Sequence, residues 1–379
     1  MNKILAVSIG VVLLSVNLYA GENTTKSNWS AELRGGYQYG EIGANSGNEA
    51  GSSSSLKYES STWNNIKFGT RISAVVGNGK EADVDIFMPF FDSKNNGYSI
   101  INELYLNWKF ANSELTIGRQ ELDLPFVDSD DDYWGLVPNR YEAVLFTNKD
   151  IKDATVTLAH VRSWSGVDSP EPKRFNRINN NDGMQIAGIE YTGIENTTLK
   201  GFVYHAEDLV NIIYFQADFE NETSLFKYSA TAQYALQDYD AGSEANIFGA
   251  AIEIEPNGSN LALNVAYNKN TKNGIADVFY GAGPFVTSME HHTISELEGK
   301  GSMLKTGISY DAKNILDGLG FEVNYAKLNR AAKQDAGGVN MKIGYDYSEN
   351  LGFKIVYSYC NDDLNGDMKN LRTYAMYKF

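Results

Sequence analysis

The sequence predicts an all-β fold, a transmembrane antiparallel β-barrel of about 18 strands with one connection folded inward to constrict the lumen. Three observations carry this expectation. From Trp29 onward, segments of about ten residues alternate apolar and polar side chains, the period-two pattern of strands with two unlike faces. The connections between them tend to take turns, long then short, which sorts them onto two rims. The last segment sets Leu371, Thr373, Ala375, Tyr377 and Phe379 against Arg372, Tyr374, Met376 and Lys378, so an aromatic residue closes the chain on an outward face. Composition agrees: among 379 residues there are 24 Tyr and 18 Phe but only 7 Pro, a balance suited to pleated strands.

Taken in chain order, 1–20 reads as a signal peptide, with Lys3 before the apolar run Ile4 to Leu18 and cleavage after Ala20. Nothing later approaches the roughly 18 apolar residues of a membrane helix, so 21–379 is expected to form a single barrel domain. The first strand is placed near 29–39, followed by a long connection at 40–61. The next, 62–76, is the clearest: Ile66, Phe68, Thr70, Ile72 and Ala74 share one face, and Lys67, Gly69, Arg71 and Ser73 the other. A brief turn at 77–79 leads to 80–90. In 99–110, Leu104, Leu106, Trp108 and Phe110 oppose Glu103, Tyr105, Asn107 and Lys109. A two-residue turn leads to 113–119, and a long connection at 120–140 follows. Then come 141–147 and 154–163, a long joint at 164–182, and strands at 183–191, 199–205, 210–220, 225–236, 245–255 and 260–268. The long 269–301 connection precedes the closing run of 302–311, 319–328, 338–347, 352–360 and 370–379.

In lipid every backbone donor and acceptor must be paired within the protein, which requires such a sheet to close on itself. Trp63, Trp108, Tyr345, Tyr347, Tyr357, Tyr359 and Phe379 are then candidates for the aromatic girdles at the two interfaces. The formal balance of −16 argues against a nucleic-acid partner, and the single Cys360 permits no internal disulfide. Only His160, His205, His291 and His292 could serve as bases, and none has a nucleophile at a spacing that aligns the two, so no enzyme activity is expected. The stretch from Asp128 to Asp132 imitates the opening of a calcium loop but lacks the sixth-position Gly and the closing Glu, so neither metal nor cofactor is expected.

If the apolar faces meet lipid, the opposite faces line the lumen. That rule turns Arg34, Lys67, Arg71, Lys109, Lys227, Lys305, Lys342, Lys354 and Arg372 inward. Most lie near the two ends of the chain, which become neighbours on closure and gather the cations on one wall. Glu32, Asp83, Asp85, Glu103, Glu114 and Glu322 are turned inward as well. The 120–140 connection is too apolar for a loop in water: Leu124, Phe126, Val127, Trp134, Leu136 and Val137 need a packing partner, which the barrel interior supplies. Its acids Asp123, Asp128, Asp130, Asp131 and Asp132 would then face the basic wall, with Arg140 at its exit. The 269–301 connection, carrying Phe279, Tyr280, Phe285, His291 and His292, is a second candidate to cover or enter the mouth. Basic and acidic walls facing each other orient solutes with separated charges or a carboxylate end, with Arg34, Arg71 and Arg372 as the better clamps.

The residues Gly118-Arg119-Gln120, Leu124-Pro125, the acidic stretch ending at Asp132, and Val137-Pro138-Asn139-Arg140-Tyr141-Glu142-Ala143 resemble the OprD family of outer-membrane porins, also described as specific carboxylate channels. The resemblance implies an eighteen-stranded barrel in the bacterial outer membrane, an inward third loop, a narrow eyelet and a ladder of basic residues guiding carboxylate-bearing solutes. The chain departs from the family where an Arg commonly stands between the acidic residue and the Pro of this loop, for it has Tyr133-Trp134-Gly135-Leu136-Val137. Arg140 or a wall Arg would have to take that role. The expected function is passive diffusion of small water-soluble solutes. The alternatives are a general, weakly selective porin and a plugged surface barrel whose loops bind a partner. The expected partners are small-molecule solutes, outer-membrane lipid and lipopolysaccharide, the last through Lys173, Arg174 and Arg177, with the barrel a monomer or a homotrimer.

Overall fold

The computed structural model describes residues 27–77, 90–129, 135–180, 182–331, 335–363 and 366–379. The signal peptide expected at 1–20 lies outside them. Eighteen antiparallel strands form a closed barrel. They are β1 (Asn28–Ile42), β2 (Asn45–Glu59), β3 (Ile66–Gly77), β4 (Ser99–Phe110), β5 (Ser113–Gln120), β6 (Arg140–Asn148), β7 (Ala154–Ser165), β8 (Met184–Ile194) and β9 (Thr197–Ala206). The second half comprises β10 (Val210–Glu222), β11 (Phe226–Tyr239), β12 (Ser243–Pro256), β13 (Leu261–Asn270), β14 (Gly301–Asp311), β15 (Leu319–Arg330), β16 (Ala336–Asp346), β17 (Leu351–Asp362) and β18 (Met368–Lys378). Each strand pairs with its chain neighbours, and β1 closes the sheet against β18 in a register running from Glu32↔Lys378 to Ile42↔Met368. A two-residue piece, Asn176–Arg177, adds to the edge of β7.

The alternation read from the sequence sorts the faces. On β15, Val323 and Tyr325 are exposed on the outside while Asn324, Ala326, Leu328 and Arg330 are buried inside. Leu104, Leu106 and Trp108 on β4 face outward in the same way. Aromatic clusters collect near one rim: Trp108 lies 4.5 Å from Phe110, Tyr345 stacks on Phe353, and Tyr377 meets Phe379 edge to face. These are the positions of an interfacial girdle.

Two expectations are corrected. The segment 40–61 is not a long connection, because it contains a two-residue hairpin and the whole of β2, paired along its length with β1 and over Gly51 to Glu59 with β3. Its outward positions Asn48, Ala50, Ser52 and Ser54 carry no apolar signal, so ladder hydrogen bonds rather than side chains define the strand. Conversely, β3 pairs directly with β4 in the sheet, from Ile66↔Trp108 to Ala74↔Ser99, so the barrel's next strand after β3 is β4 and not the expected 80–90. Phe90 is outside any strand, and 78–89, which hold most of the expected turn and strand, lie outside the described residues. The two errors cancel in the strand count.

With β2 in place the connections sort cleanly. The four long ones, 78–98, 121–139, 166–183 and 271–300, all leave the same rim as the hairpin at 43–44. On the opposite rim every connection has seven or fewer residues, the longest being 312–318. Counting along the long-loop rim, the four are its second, third, fourth and seventh loops, here L2, L3, L4 and L7.

Candidate functional site

L3 enters the barrel as a small hairpin, Asp123–Leu124 against Val127–Asp128. Leu122, Leu124, Phe126 and Val127 are all buried, and they pack against inward side chains of the wall, including Ile212 of β10 and Ile247 of β12. Phe126 is 0% exposed, with the rings of Tyr204, Tyr214, Phe279 and Phe285 edge-on at centroid distances of 5.4, 5.6, 5.9 and 5.8 Å. Burying one such ring contributes about 1.5–3 kcal/mol, which offsets the ordering of about one or two loop residues. Farther along, Leu136 and Val137 pack with Phe90, Phe91, Val75 and Tyr374.

L7 also descends into the lumen and joins L3 by a parallel β-bridge between Val127 and Tyr280. The Asp128 N–H donates to the Tyr280 carbonyl at 3.0 Å, and the Tyr280 N–H to the Phe126 carbonyl at 3.2 Å. The buried Tyr141 hydroxyl lies 2.5 Å from the Tyr280 carbonyl and 2.6 Å from that of Asp128, so it ties both loops to β6. Gly281 has a φ of +140°, and a Cβ there would stand 2.7 Å from the Asp128 carbonyl oxygen; the close approach requires glycine. Wall amides hold the rest of L7: Gln237 donates to the Asp277 carbonyl at 2.7 Å, Gln233 to that of Pro284 at 2.6 Å, and Asn268 accepts from Thr287. Together L3 and L7 fill one side of the lumen.

The other side is lined with charge. A β-bulge, where the register steps from Arg71↔Glu103 to Ile72↔Ile101, leaves Asn102 and Glu103 both buried. Glu103, 1% exposed, meets Lys57 at 2.9 Å, Arg71 at 3.1 Å and Arg140 at 2.9 Å. Arg140 also reaches Glu121 at 2.6 Å, so three cations share two carboxylates. Across the gap between L7 and the wall, Glu290 bridges Lys342 at 2.9 Å and Arg372 at 2.8 Å. Lys305 donates to the Ser288 carbonyl at 3.3 Å. Between these groups is a cavity of about 670 Å³, bounded by Lys305, Glu322, Asn324, Asn340 and Lys342 on the wall and by Glu290 on L7.

Not every expected residue sits at this narrowing. Arg34 faces inward, paired with Glu32 at 2.5 Å and donating to the Gly135 carbonyl of L3 at 3.4 Å. Lys67 and Lys109 pair with Glu59 and Glu114 toward the short-turn rim, Lys109 largely exposed. Lys227 stands near that rim among Glu220, Glu222, Glu253 and Glu255, and Lys354 lies inward on β17 opposite Tyr374 in the register. Asp123 is exposed and Asp128 partly buried, while Asp130, Asp131 and Asp132 lie outside the described residues. Among the described residues, Arg71 meets Glu103 of β4 and Arg372 meets Glu290 of L7. Arg140, 1% exposed and shared between Glu103 and Glu121, anchors the base of L3 instead of pointing into the path. Lys173 is held by Asp92 at 2.8 Å, fastening L4 to L2.

Sequence reasoning missed Lys57 and Glu290. Lys57 had a signal in the alternation Leu56-Lys57-Tyr58-Glu59, hidden at the end of a serine run. Glu290 had none, because its partners depend on the path of L7. No group of three or more potential metal ligands occurs among the described residues. His291 and His292 do not act as a pair. Burial and the Arg372 charge push His291 down to about 3, whereas burial of His292 is outweighed by hydrogen bonds to Cys360 and Glu296 that raise it to about 10.

The model of the outer membrane porin OprD family matches residues 92–279, which include L3, its anchoring strands and the descent of L7. The chain belongs to the OprD family of outer-membrane porins. It is a bacterial outer-membrane channel for small solutes and not an enzyme. No curated protein matches the chain. Its fold is similar to that of Acinetobacter baumannii OccAB4, with a TM-score of 0.82 at 15% identity, covering 94% of this chain and 100% of that one. Pseudomonas aeruginosa OccK8 (OprE) has a TM-score of 0.77 at 15% identity, covering 93% and 98%. Acinetobacter baumannii OccAB2 has the same score at 19% identity, covering 94% and 99%. As an OprD-family porin the chain has its short-turn rim in the periplasm and its long loops outside.

Proposed function

We propose that this porin prefers small, water-soluble solutes bearing a carboxylate, which move down their gradient along the basic wall. The carrying observation is the clustering of cations on one part of the wall: Lys57, Arg71, Lys305, Lys342 and Arg372 lie on β2, β3, β14, β16 and β18, apart from β9 and β10, whose Tyr204 and Tyr214 receive Phe126. In a narrow, partly dehydrated passage such groups replace part of a carboxylate's hydration shell, and Arg does so bidentately. Outer-membrane lipid meets the apolar outer faces, and lipopolysaccharide the long-loop rim. Liposome swelling with succinate, acetate and neutral sugars of similar size tests the preference: succinate is expected to enter faster than a sugar of equal size, and equal rates would refute it. A second reading, a general and weakly selective channel, is favoured by Glu253, Glu255 and Glu322 on the inner wall, and equal rates would support it.

A further inference from the structure

Glu290 stands apart from Glu103, the other carboxylate buried among wall cations. It is carried by L7, not by a strand, yet its two oxygens meet cations on two different strands: Oε1 lies 2.9 Å from Lys342 Nζ on β16, and Oε2 2.8 Å from Arg372 Nη2 on β18. The Glu290 side chain is 5% exposed and that of Arg372 1%, so both charges are largely withdrawn from water. Glu290 and Lys342 also border the 670 Å³ cavity, with Lys305 beside them. A loop-borne carboxylate thus occupies the geometry that a solute carboxylate would need in order to contact the wall.

Resting on the carboxylate reading above, we infer that Glu290 is a tethered competitor: it holds the recognition position on Lys342 and Arg372 in the resting channel, and a solute carboxylate advances by exchanging with it. Exchange keeps the buried cations supplied with a carboxylate at each stage, which avoids the large penalty of leaving such charges bare. It also keeps binding weak enough for release, the second requirement of conduction. A group on a short tether acts at an effective concentration in the mM range, so solute carboxylates must compete against that before they bind.

The test is Glu290→Gln, which keeps the shape and loses the charge, with Glu290→Asp as the variant that keeps charge and shortens the reach. Both are assayed as full-length channels in planar bilayers, after heat-modifiable mobility on gels has verified assembly. The probe is succinate, with glucose as the neutral reference. For Glu290→Gln the succinate concentration giving half-maximal current interruption is expected to fall about 10-fold, with glucose passage unchanged. Glu290→Asp should fall in between. An unchanged or raised half-maximal concentration in Glu290→Gln overturns the inference. Equal increases in succinate and glucose passage overturn it as well, since Glu290 would then only strap L7 to the wall. If the variant fails to assemble, the same criteria apply to Glu290→Asp. If wild-type current shows no saturable response to succinate, the carboxylate reading itself fails and this inference falls with it. If wild type saturates and the variants match it, the inference alone fails.

Discussion

Replacing Phe126 by Ala should open the constriction without dissolving the barrel. The ring is fully buried and contacts four other aromatic rings, two from the wall (Tyr204, Tyr214) and two from L7 (Phe279, Phe285). Truncating a buried Phe to Ala costs about 3–5 kcal/mol, the lost transfer energy plus the cavity left behind. At about 1.4 kcal/mol per factor of ten, that weakens docking of the L3–L7 unit by roughly two to four orders of magnitude. The barrel wall does not share the loss, because its stability lies in inter-strand ladders that Phe126 does not join. Other ties, among them the Val127 to Tyr280 bridge, the Tyr141 hydroxyl and the wall amides, contribute about 1 kcal/mol per hydrogen bond and are already made in the wild type. They do not compensate. In single-channel recordings Phe126→Ala should therefore show larger conductance, more open-channel noise and weaker discrimination between succinate and glucose. Phe126→Leu, which retains most of the volume, should stay near wild type. A Phe126→Ala channel with wild-type conductance and selectivity would refute the view that the aromatic cluster holds the narrowing.

Glu103→Ala should be more damaging than its single charge suggests. It leaves Lys57, Arg71 and Arg140 without their common buried partner, a change that costs about 3–5 kcal/mol, measurable as a smaller heat-modifiable fraction after refolding. Arg71→Ala and Arg372→Ala should each raise the succinate concentration needed for half-maximal interruption; if both left it unchanged, the basic-wall assignment would be abandoned. Ion selectivity should be flat from pH 5 to 8 despite the adjacent histidines. His291, depressed to about 3, stays neutral throughout, and His292, raised to about 10, stays protonated throughout, so neither changes charge in that window. A reversal potential that titrates near pH 6.5 would contradict that assignment.

Strand faces were legible because lipid on one side and water on the other impose a period of two. β3 and β4 display it over residues 66–75 and 104–110. The third loop was legible for a related reason, since Leu124, Phe126 and Val127 have no place in water and are buried. β2 escaped detection because its upper outward positions are Asn, Ala and Ser, and its pairing is written in backbone hydrogen bonds that have no sequence signature. The same limit hid the partners of the charges. Period two places Arg71 and Arg372 in the lumen, but which carboxylate meets each of them depends on a bulge at Asn102 and on the course of L7 through the lumen. A charged residue's face is thus a local property, whereas its partner is set by tertiary structure.

The central claim is that a basic wall flanking an inserted loop pair recognises the carboxylate end of a small solute. The most direct measurement is the ionic current of single wild-type channels in KCl as succinate is added, with glucose in parallel. Brief interruptions whose frequency saturates with succinate, and which glucose does not produce, are the predicted result. A current that ignores succinate, or responds to both solutes alike, would contradict the account.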